Sequence, residues 1–435
     1  MKPSYIKHSL LKTIRFMSSD PSPFVVNPGV DFSRNRKCSF TSLILLLLSM
    51  ENHTLNKEIR RFFKKLSMPH ITKSAFIQQR KKLNDDAFPF LFSAMNSVLP
   101  FKKTYRGYHL LACDGSDVNV PPLEQDTSTC VASNTSGVTY HQFHLNAVYD
   151  ILENRYTDIL IQPRALANER EAFLTFVNRN LIPGKSIFIG DRGYFSINVL
   201  AHLLQADQPF LLRVKADDTA QAFLTRFSLP AVPQIDKNIQ VYVTRSHKKK
   251  YRDHPEKYVS LTRKRKFDLI QPDDKDSIIE LSFRLVKLPL PNGGSEFLVT
   301  NLPAKDFSIK DLEELYHLRW GIETSFRYLK CNVPLNSFHS IRRDFLIQET
   351  YARVILYNFS MMIVQCLIPP KKDTKYQYKV SVSDAISICR DFLLHRIKNA
   401  EIEELLCQYM TDVRPGRSAP RKKHSKRYTP LNNRS

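Results

Sequence analysis

The sequence predicts an α/β protein: a mixed-sheet core interrupted by a β-rich insertion and preceded by an all-helical N-terminal domain. Three observations lead there. Apolar residues recur at helical spacing up to about residue 103. From Tyr105 the texture changes to short apolar runs of strand length, in the order three strands, helix, strand, helix, strand. Between 216 and about 302 the helical period fades into alternation of apolar and polar residues. Meandering strands followed by alternating helices and strands argue a mixed sheet.

In the N-terminal part, Leu43–Met50 is one helix core, and Thr54–Leu66 follows with Leu55, Ile59, Phe62 and Phe63 on one face. Ser74–Leu83 is a further helix, capped by Thr72 or Ser74. It carries Gln78, Gln79, Arg80, Lys81 and Lys82, a face that reads equally as DNA-contacting or as solvated. In the core, Tyr108–Asp114 reads as a strand ending in an acid. Phe143–Tyr149 and Arg155–Ile161 are two more strands, joined by a turn through Asp150–Asn154. Asn168–Asn180 is a helix, Ser186–Asp191 a strand again ending in an acid, Ser196–Gln205 a helix and Phe210–Lys215 a strand. In the insertion, Ile239, Val241 and Val243 alternate with polar residues, as do Ile279, Leu281, Phe283 and Leu285. Asn292–Gly293–Gly294 reads as a hairpin turn before the strand Glu296–Thr300. The insertion also holds two basic clusters, Arg245–Arg252 and Arg263–Lys266. Ser308–Lys330 returns to helix with Ser308 and Asp311 as a capping pair, and a long apolar helix covers roughly 348–367. From Val413 to Ser435 the chain has eight Lys or Arg, three Pro and no acid, and is expected to be a disordered basic arm that binds phosphates nonspecifically. The expected boundaries are therefore 1–103, 104–215, 216–302, 303–412 and 413–435.

The 435 residues carry 65 Lys plus Arg against 42 Asp plus Glu, a formal net charge of +23 that favours a polyanionic partner. A 42% hydrophobic content excludes global disorder. The apolar runs Leu43–Leu48 and Val354–Ile368 fall short of the roughly 20 clean residues that a membrane span needs. Without a basic amphipathic helix bearing a wide apolar face, a membrane-surface protein is not expected either. Met1–Phe16 has no apolar block with a cleavage site, so no signal peptide is expected. The seven cysteines are scattered and form no CxxC pair, which argues against a zinc ribbon or a disulfide scaffold. Location in the cytoplasm, on the nucleoid, is the corresponding expectation.

Two acids, Asp114 and Asp191, end predicted neighbouring strands, where α/β sheets place ligands and chemistry. Either alone reads as a turn cap; as a pair they suit a divalent metal. In the helix near residue 323, Tyr316, Arg319, Glu323 and Lys330 are spaced by three, four and seven residues. At ~100° per residue they form one narrow stripe. Trp320, the only Trp in the chain, borders it. The plain reading of that stripe is a solvated face. The same helix, however, has Leu312, Leu315, Leu318, Ile322 and Phe326 for burial, which leaves the stripe as a separate edge. Asp117 follows Asp114 by three residues, and in a continuing strand the two would face opposite sides. His109, His141 and His144 flank the core strands and read most simply as core or surface histidines.

The run YHLRWGIETSFRYLK resembles the Y-x2-R-x3-E-x6-K signature of IS4-family transposases, the group of the Tn5 and Tn10 enzymes. Tyr316, Arg319, Glu323 and Lys330 fill its positions. CDGSDV at Asp114 and GDRGYF at Asp191 resemble the first and second catalytic blocks, in the same order. The resemblance implies an RNase H-like core with Asp114, Asp191 and Glu323 as a DDE triad holding two Mg²⁺ ions, with Mn²⁺ as a substitute. Carboxylates are the hard oxygen ligands Mg²⁺ prefers, and two such ions can activate a water or 3′-hydroxyl and stabilise the leaving oxygen. It further implies that Tyr316, Arg319 and Lys330 grip phosphates of the element end, with Arg192 beside Asp191 also on DNA, and that Trp320 assists distortion of that end or base flipping. The related enzymes use a second stacking Trp, which this chain lacks, so Tyr, Phe or His would have to serve. The implied function is a DNA transposase that binds terminal inverted repeats, cuts them and joins the 3′ ends to target DNA. Cut-and-paste through a hairpin and a synaptic homodimer on double-stranded DNA are part of that expectation. A catalytically silent DNA-binding regulator and a host nuclease with the same core are the alternatives; inverted repeats flanking the gene would favour the transposase.

Overall fold

The structure is a computed structural model that describes residues 2–123, 126–132, 139–215, 223–290, 293–367 and 377–413. Five helices come first: α1 (Pro3–Ser19), α2 (Phe40–Ser49), α3 (Leu55–Lys65), α4 (Lys73–Arg80) and α5 (Ala87–Val98). Proline at its first position starts α1, and Ile6, Leu10, Ile14 and Met17 form its buried stripe. The Ser39 side chain caps α2 by accepting from the Ser42 N–H. At α4 the cap is Thr72, which accepts from the Ala75 N–H.

The strands are β1 (Tyr108–Val120), β2 (Cys130–Ala132), β3 (Thr139–Asp150), β4 (Arg155–Pro163), β5 (Lys185–Gly190) and β6 (Phe210–Val214), with α6 (Glu169–Arg179) and α7 (Ile197–Gln205) between the last three. Then come β7 (Ile235–Thr244), α8 (Lys249–Arg252), β8 (Tyr258–Ser260), β9 (Ile278–Pro289) and β10 (Ser295–Thr300). Helices α9 (Ile309–Leu318), α10 (Trp320–Cys331) and α11 (Arg343–Gln365) follow, then β11 (Gln377–Val380), α12 (Val382–Leu393), α13 (Ile402–Gln408) and β12 (Met410–Val413).

One ten-stranded sheet dominates, in the order β2-β3-β1-β5-β6-β10-β9-β7-β8, with β4 paired to β3 on the same edge as β2. Strands β1, β3 and β4 form an antiparallel meander, while β5 joins β1 and β6 joins β5 in parallel. A three-strand meander followed by parallel strands on helical crossovers is the RNase H-like arrangement, here with helices before it. Alternation along β1 divides the interior in two. Leu110 and Ala112 pack with the N-terminal helices and α10–α13, whereas Leu111 and Cys113 pack with α6 and α7. The strands of the insertion do not stand apart. Strand β10 pairs antiparallel with β6, and β9 then pairs with β10, so both extend the central sheet. Phe283 and Leu285 of β9 belong to the same apolar cluster as Leu200 of α7.

Three expectations are revised. β1 does not end at Asp114: β3 is long enough to pair onward from Asp114↔Ala147 to Val120↔His141, so the strand continues for six more residues. The helix expected over 308–330 breaks between α9 and α10 at Arg319, whose backbone remains in the helical region. Arg80, read as part of a basic face, is buried and donates to Glu349 on α11 at 2.8 Å. Arg245 is likewise interior, donating to the carbonyls of Thr262, Phe267 and Ile270. The capping box of Ser308 and Asp311 is present. In the expected 292–294 turn, Asn292 lies outside the described residues, while Gly293 has φ +83°, a conformation that favours glycine. The tail expected to be disordered lies outside the described residues beyond Val413. No described helix is long and apolar enough to cross a membrane.

Candidate active site

Strand register brings the two aspartates together. In the parallel pair of β1 and β5, Cys113 lies opposite Gly190, where β5 stops. The next residue on each chain is an acid, so Asp114 and Asp191 emerge side by side. Asp191 begins a turn in which the Tyr194 N–H donates to its carbonyl. Its carboxylate accepts from the Arg192 N–H at 2.7 Å. Asp114 accepts from the Gly115 N–H at 2.9 Å.

The third acid arrives on α10, which is held to the sheet by the buried side chains of Ile322, Phe326 and Leu329. Gly321 lies against Ile151 and Tyr149, with 3.7 and 3.9 Å from its missing Cβ to their side chains. Tyr156 of β4 and Ser325 of α10 share a hydrogen bond at 2.6 Å beneath this contact. That docking places Arg319 between the acids. Its Nη2 donates to Glu323 Oε1 at 2.9 Å, and its Nη1 is 4.0 Å from Asp114 Oδ2. The Arg319 side chain is almost fully buried, and its Nε and Nη1 carry no hydrogen bond. Its guanidinium lies over the rings of Tyr316 and Trp320, 5.4 and 5.5 Å from their centroids. The Tyr316 hydroxyl donates to Asp191 Oδ1 at 3.1 Å.

Thus Tyr316 reaches Asp191, and Arg319 links Asp114 to Glu323. Lys330 is half-buried about two turns beyond Glu323 along α10. Burial draws its ammonium below the ordinary value, against the pull of Asp117 and Asp114. Trp320 is 44% exposed at the rim. Arg192 is exposed, on the wall of a cavity of about 500 Å³ that it shares with Arg170, Arg265, Lys266, Phe195 and Phe223. The Phe195 and Phe223 rings lie 5.0 Å apart.

Electrostatics put the Asp114 carboxyl under pressure. Burial is the largest influence and raises its pKa; Arg319 and the Gly115 N–H oppose it, while Glu323 and Asp191 raise it further. The result is about 6. Such an excess of carboxylate, compensated by one guanidinium, suits a bound cation, and the oxygen donors suit a hard divalent one. Among the described residues no three acidic, His or Cys side chains form a ready metal-binding group. The Arg319 guanidinium lies between Asp114 and Glu323 and makes the ion pairs there itself.

Two residues of this region were not read as functional from sequence. His144, taken there as a core or surface histidine, is buried behind the Asp114 strand. Glu169 was not singled out, because it lies 55 residues beyond Asp114 in the chain and only folding brings it near. The one sequence signal is a glycine after each aspartate, Gly115 and Gly193.

The sequence matches the family model described as a transposase DDE domain over residues 105–359, more than half of the chain. No curated protein matches it. Among solved structures, a piggyBac transposase synaptic complex with hairpin DNA is similar over 97% of this chain and 85% of that chain. Its TM-score is 0.46 and its identity 10%, too distant for the likeness to carry weight. The matched segment begins before Asp114 and ends after Lys330, so all three sequence blocks lie inside it, and the chain belongs to the DDE transposase family.

Proposed function

We propose that this DDE transposase cuts DNA at the ends of its own element and transfers the freed 3′ ends to target DNA. Asp114, Asp191 and Glu323 are the triad. The observation that carries this reading is the convergence of three carboxylates from β1, the β5–α7 turn and α10 on Tyr316 and Arg319: Asp114 and Glu323 flank the buried Arg319 guanidinium, and Asp191 accepts from the Tyr316 hydroxyl. The three carboxylates would hold divalent metal, Mg²⁺ or Mn²⁺. When bound, that metal supplies Lewis-acid activation of a water or 3′-hydroxyl and stabilisation of the leaving oxygen.

The protein's own side chains bind and orient the DNA. Arg319 has two buried donors without hydrogen bonds, Nε and Nη1, and a planar fork suited to phosphate. On binding, its Nη2 exchanges Glu323 for a phosphate oxygen. The Tyr316 hydroxyl can turn from Asp191 to the same backbone, and Lys330 adds a point charge. Trp320 offers an exposed ring for stacking, worth about 1–3 kcal/mol per base. Arg192, Arg170, Arg265 and Lys266 line one wall of the DNA path, and Phe195 with Phe223 can take the place of a second stacking Trp. Two metal ions, cut-and-paste excision through a hairpin, a synaptic homodimer and IS4-type end recognition are the finer parts of the proposal. So are the roles of residues 1–103 in reading the ends and of 413–435 in gripping phosphates.

The test is a cleavage assay on a plasmid carrying the gene's flanking DNA, with Mg²⁺ or Mn²⁺, beside Glu323→Gln and Asp191→Asn. Metal-dependent cuts at the element ends, absent in both variants, are expected. End binding without cutting would favour a silent regulator. Cutting that survives Glu323→Gln would remove Glu323 from the triad.

A further inference from the structure

Behind the candidate triad lies a second charged group that the proposed chemistry does not use. In the β1–β3 ladder Asp117 pairs with His144. The His144 Nδ1 is 2.6 Å from Asp117 Oδ1, and Arg164 Nε is 3.0 Å from that same oxygen. On its far side His144 Nε2 is 3.3 Å from Glu169 Oε1, in the first turn of α6. The imidazole is buried, while the two carboxylates are 38% and 42% exposed. Burial works against a charge on His144, but the hydrogen bond to Asp117 and the negative charges of Asp117 and Glu169 outweigh it and push its pKa up to about 9.

The two glycines reveal where this group presses. A Cβ on Gly115 would stand 2.3 Å from His144 Nε2 and 3.3 Å from Glu169 Oε1. A Cβ on Gly193 would stand 3.1 Å from Glu169 Oε2. One carboxylate therefore touches the residue after Asp114 with one oxygen and the turn that carries Asp191 with the other. The neighbouring Arg170 Nε donates to the Gly193 carbonyl at 3.1 Å, so the start of α6 holds this turn at two points. Asp114 and Asp191 belong to separate strands, and no hydrogen bond between β1 and β5 extends beyond Cys113 and Gly190. At the level of the aspartates the two segments thus need another tie.

We infer that Glu169 and His144 form a brace that sets the separation of Asp114 and Asp191 from behind the sheet, and so act as positioning residues for divalent metal binding. The inference rests on the reading of Asp114 and Asp191 as metal ligands. Groups that orient ligands from outside typically change metal affinity by about 10–100-fold when removed. Glu169→Gln keeps the shape and removes the charge that holds His144. His144→Gln breaks the brace without removing a carboxylate.

The experiment is a Mn²⁺ titration of the full-length protein, followed by electron paramagnetic resonance of free Mn²⁺, which needs no DNA and no turnover. Parent, Glu169→Gln, His144→Gln, the double variant and Glu171→Gln are compared, with circular dichroism melts of each. Both single variants should bind Mn²⁺ roughly tenfold or more weakly. The double variant should be no weaker than the worse single one, because one brace is removed once. Glu171→Gln, the same loss of charge on the same turn of α6, should bind like the parent. Glu169 is partly exposed, so its variant still decides the matter should the His144 variant misfold. Folded variants with parental affinity overturn the brace alone. An additive double variant makes Glu169 an independent ligand and overturns the brace too. A parent that binds no Mn²⁺ overturns the metal reading of the triad and the brace with it.

Discussion

At Asp114, burial and the carboxylates of Glu323 and Asp191 hold the side chain at about 6, above its ordinary value of 3.8. The sign follows from linkage. A carboxyl whose pKa is raised in the folded state contributes stability that is complete below about 3.8 and is lost as pH rises through about 6. The metal-free protein should therefore be more stable near pH 5 than near pH 8 through this residue. Asp114→Asn should gain up to roughly 3 kcal/mol at pH 8 while abolishing cleavage, since one pKa unit is about 1.4 kcal/mol. Urea melts at the two pH values measure the first, and plasmid cleavage the second. Gly115 makes a steric prediction. Gly115→Ala places a methyl group 2.3 Å from His144 Nε2, within a packed sheet. Overpacking of this kind costs about 1–3 kcal/mol, read as a lowered midpoint in denaturant with cleavage reduced more than stability alone explains.

Among the elements, α4 and α11 are joined by a charged network that sequence patterning disguised. Arg80 donates to Glu349 and to Gln348, and His339 donates to Glu349 from the other side. All of these side chains are buried. Burial alone would raise the Glu349 carboxyl, but Arg80, His339 and Arg353 outweigh it and hold it well below the usual carboxylate range. A depressed acid stabilises the fold above its ordinary pKa and loses that contribution only as pH falls through the depressed value, so this tie survives mild acid. Glu349→Ala should cost about 3–5 kcal/mol, because it strands a buried guanidinium. Arg80→Met with Glu349→Leu should recover most of that loss. Thermal melts of the parent, Arg80→Met, Glu349→Leu and the double form the cycle. Failure of the double to recover would mean that packing of α4, rather than charge, holds the helix.

Over the whole molecule, the insertion and the core share one sheet. Excising residues 216–302 removes β10, one of the two partners of β6, and the apolar cover that Phe283 and Leu285 give to α7. The expected outcome is a protein without a cooperative unfolding transition, checked by calorimetry; a soluble, cooperatively folded deletion would show the core to be independent. The charge of +23 makes a second prediction at this scale. DNA affinity should fall linearly in logarithmic terms with salt, at a slope of about −0.9 for each phosphate neutralised. Substituting Arg192 and Arg265 together should shallow that slope by about two, as measured by fluorescence anisotropy across salt concentrations.

The sequence by itself determined the type and order of the main core elements from β1 to α11 and the grouping of Tyr316, Arg319 and Glu323. Those features rest on local periodicity and on spacing along a helical stretch, which neighbouring residues set. Gly190 and Cys113 end the parallel pairing where their neighbours are acids, so the adjacency of Asp114 and Asp191 was also foreshadowed by two apolar runs of similar form. Only the tertiary structure decided the rest. It extended β1 past Asp114 because β3 offered it a longer partner. It took Arg80 and Arg245 out of the apparent basic surface, since a buried guanidinium and a solvated one look alike in a sequence. It merged the insertion with the core through the pairing of β10 and β6. And it brought Glu169 and His144 to the glycines behind the two aspartates. Contacts of that kind depend on register and on the docking of α6 across the sheet, which no local pattern encodes.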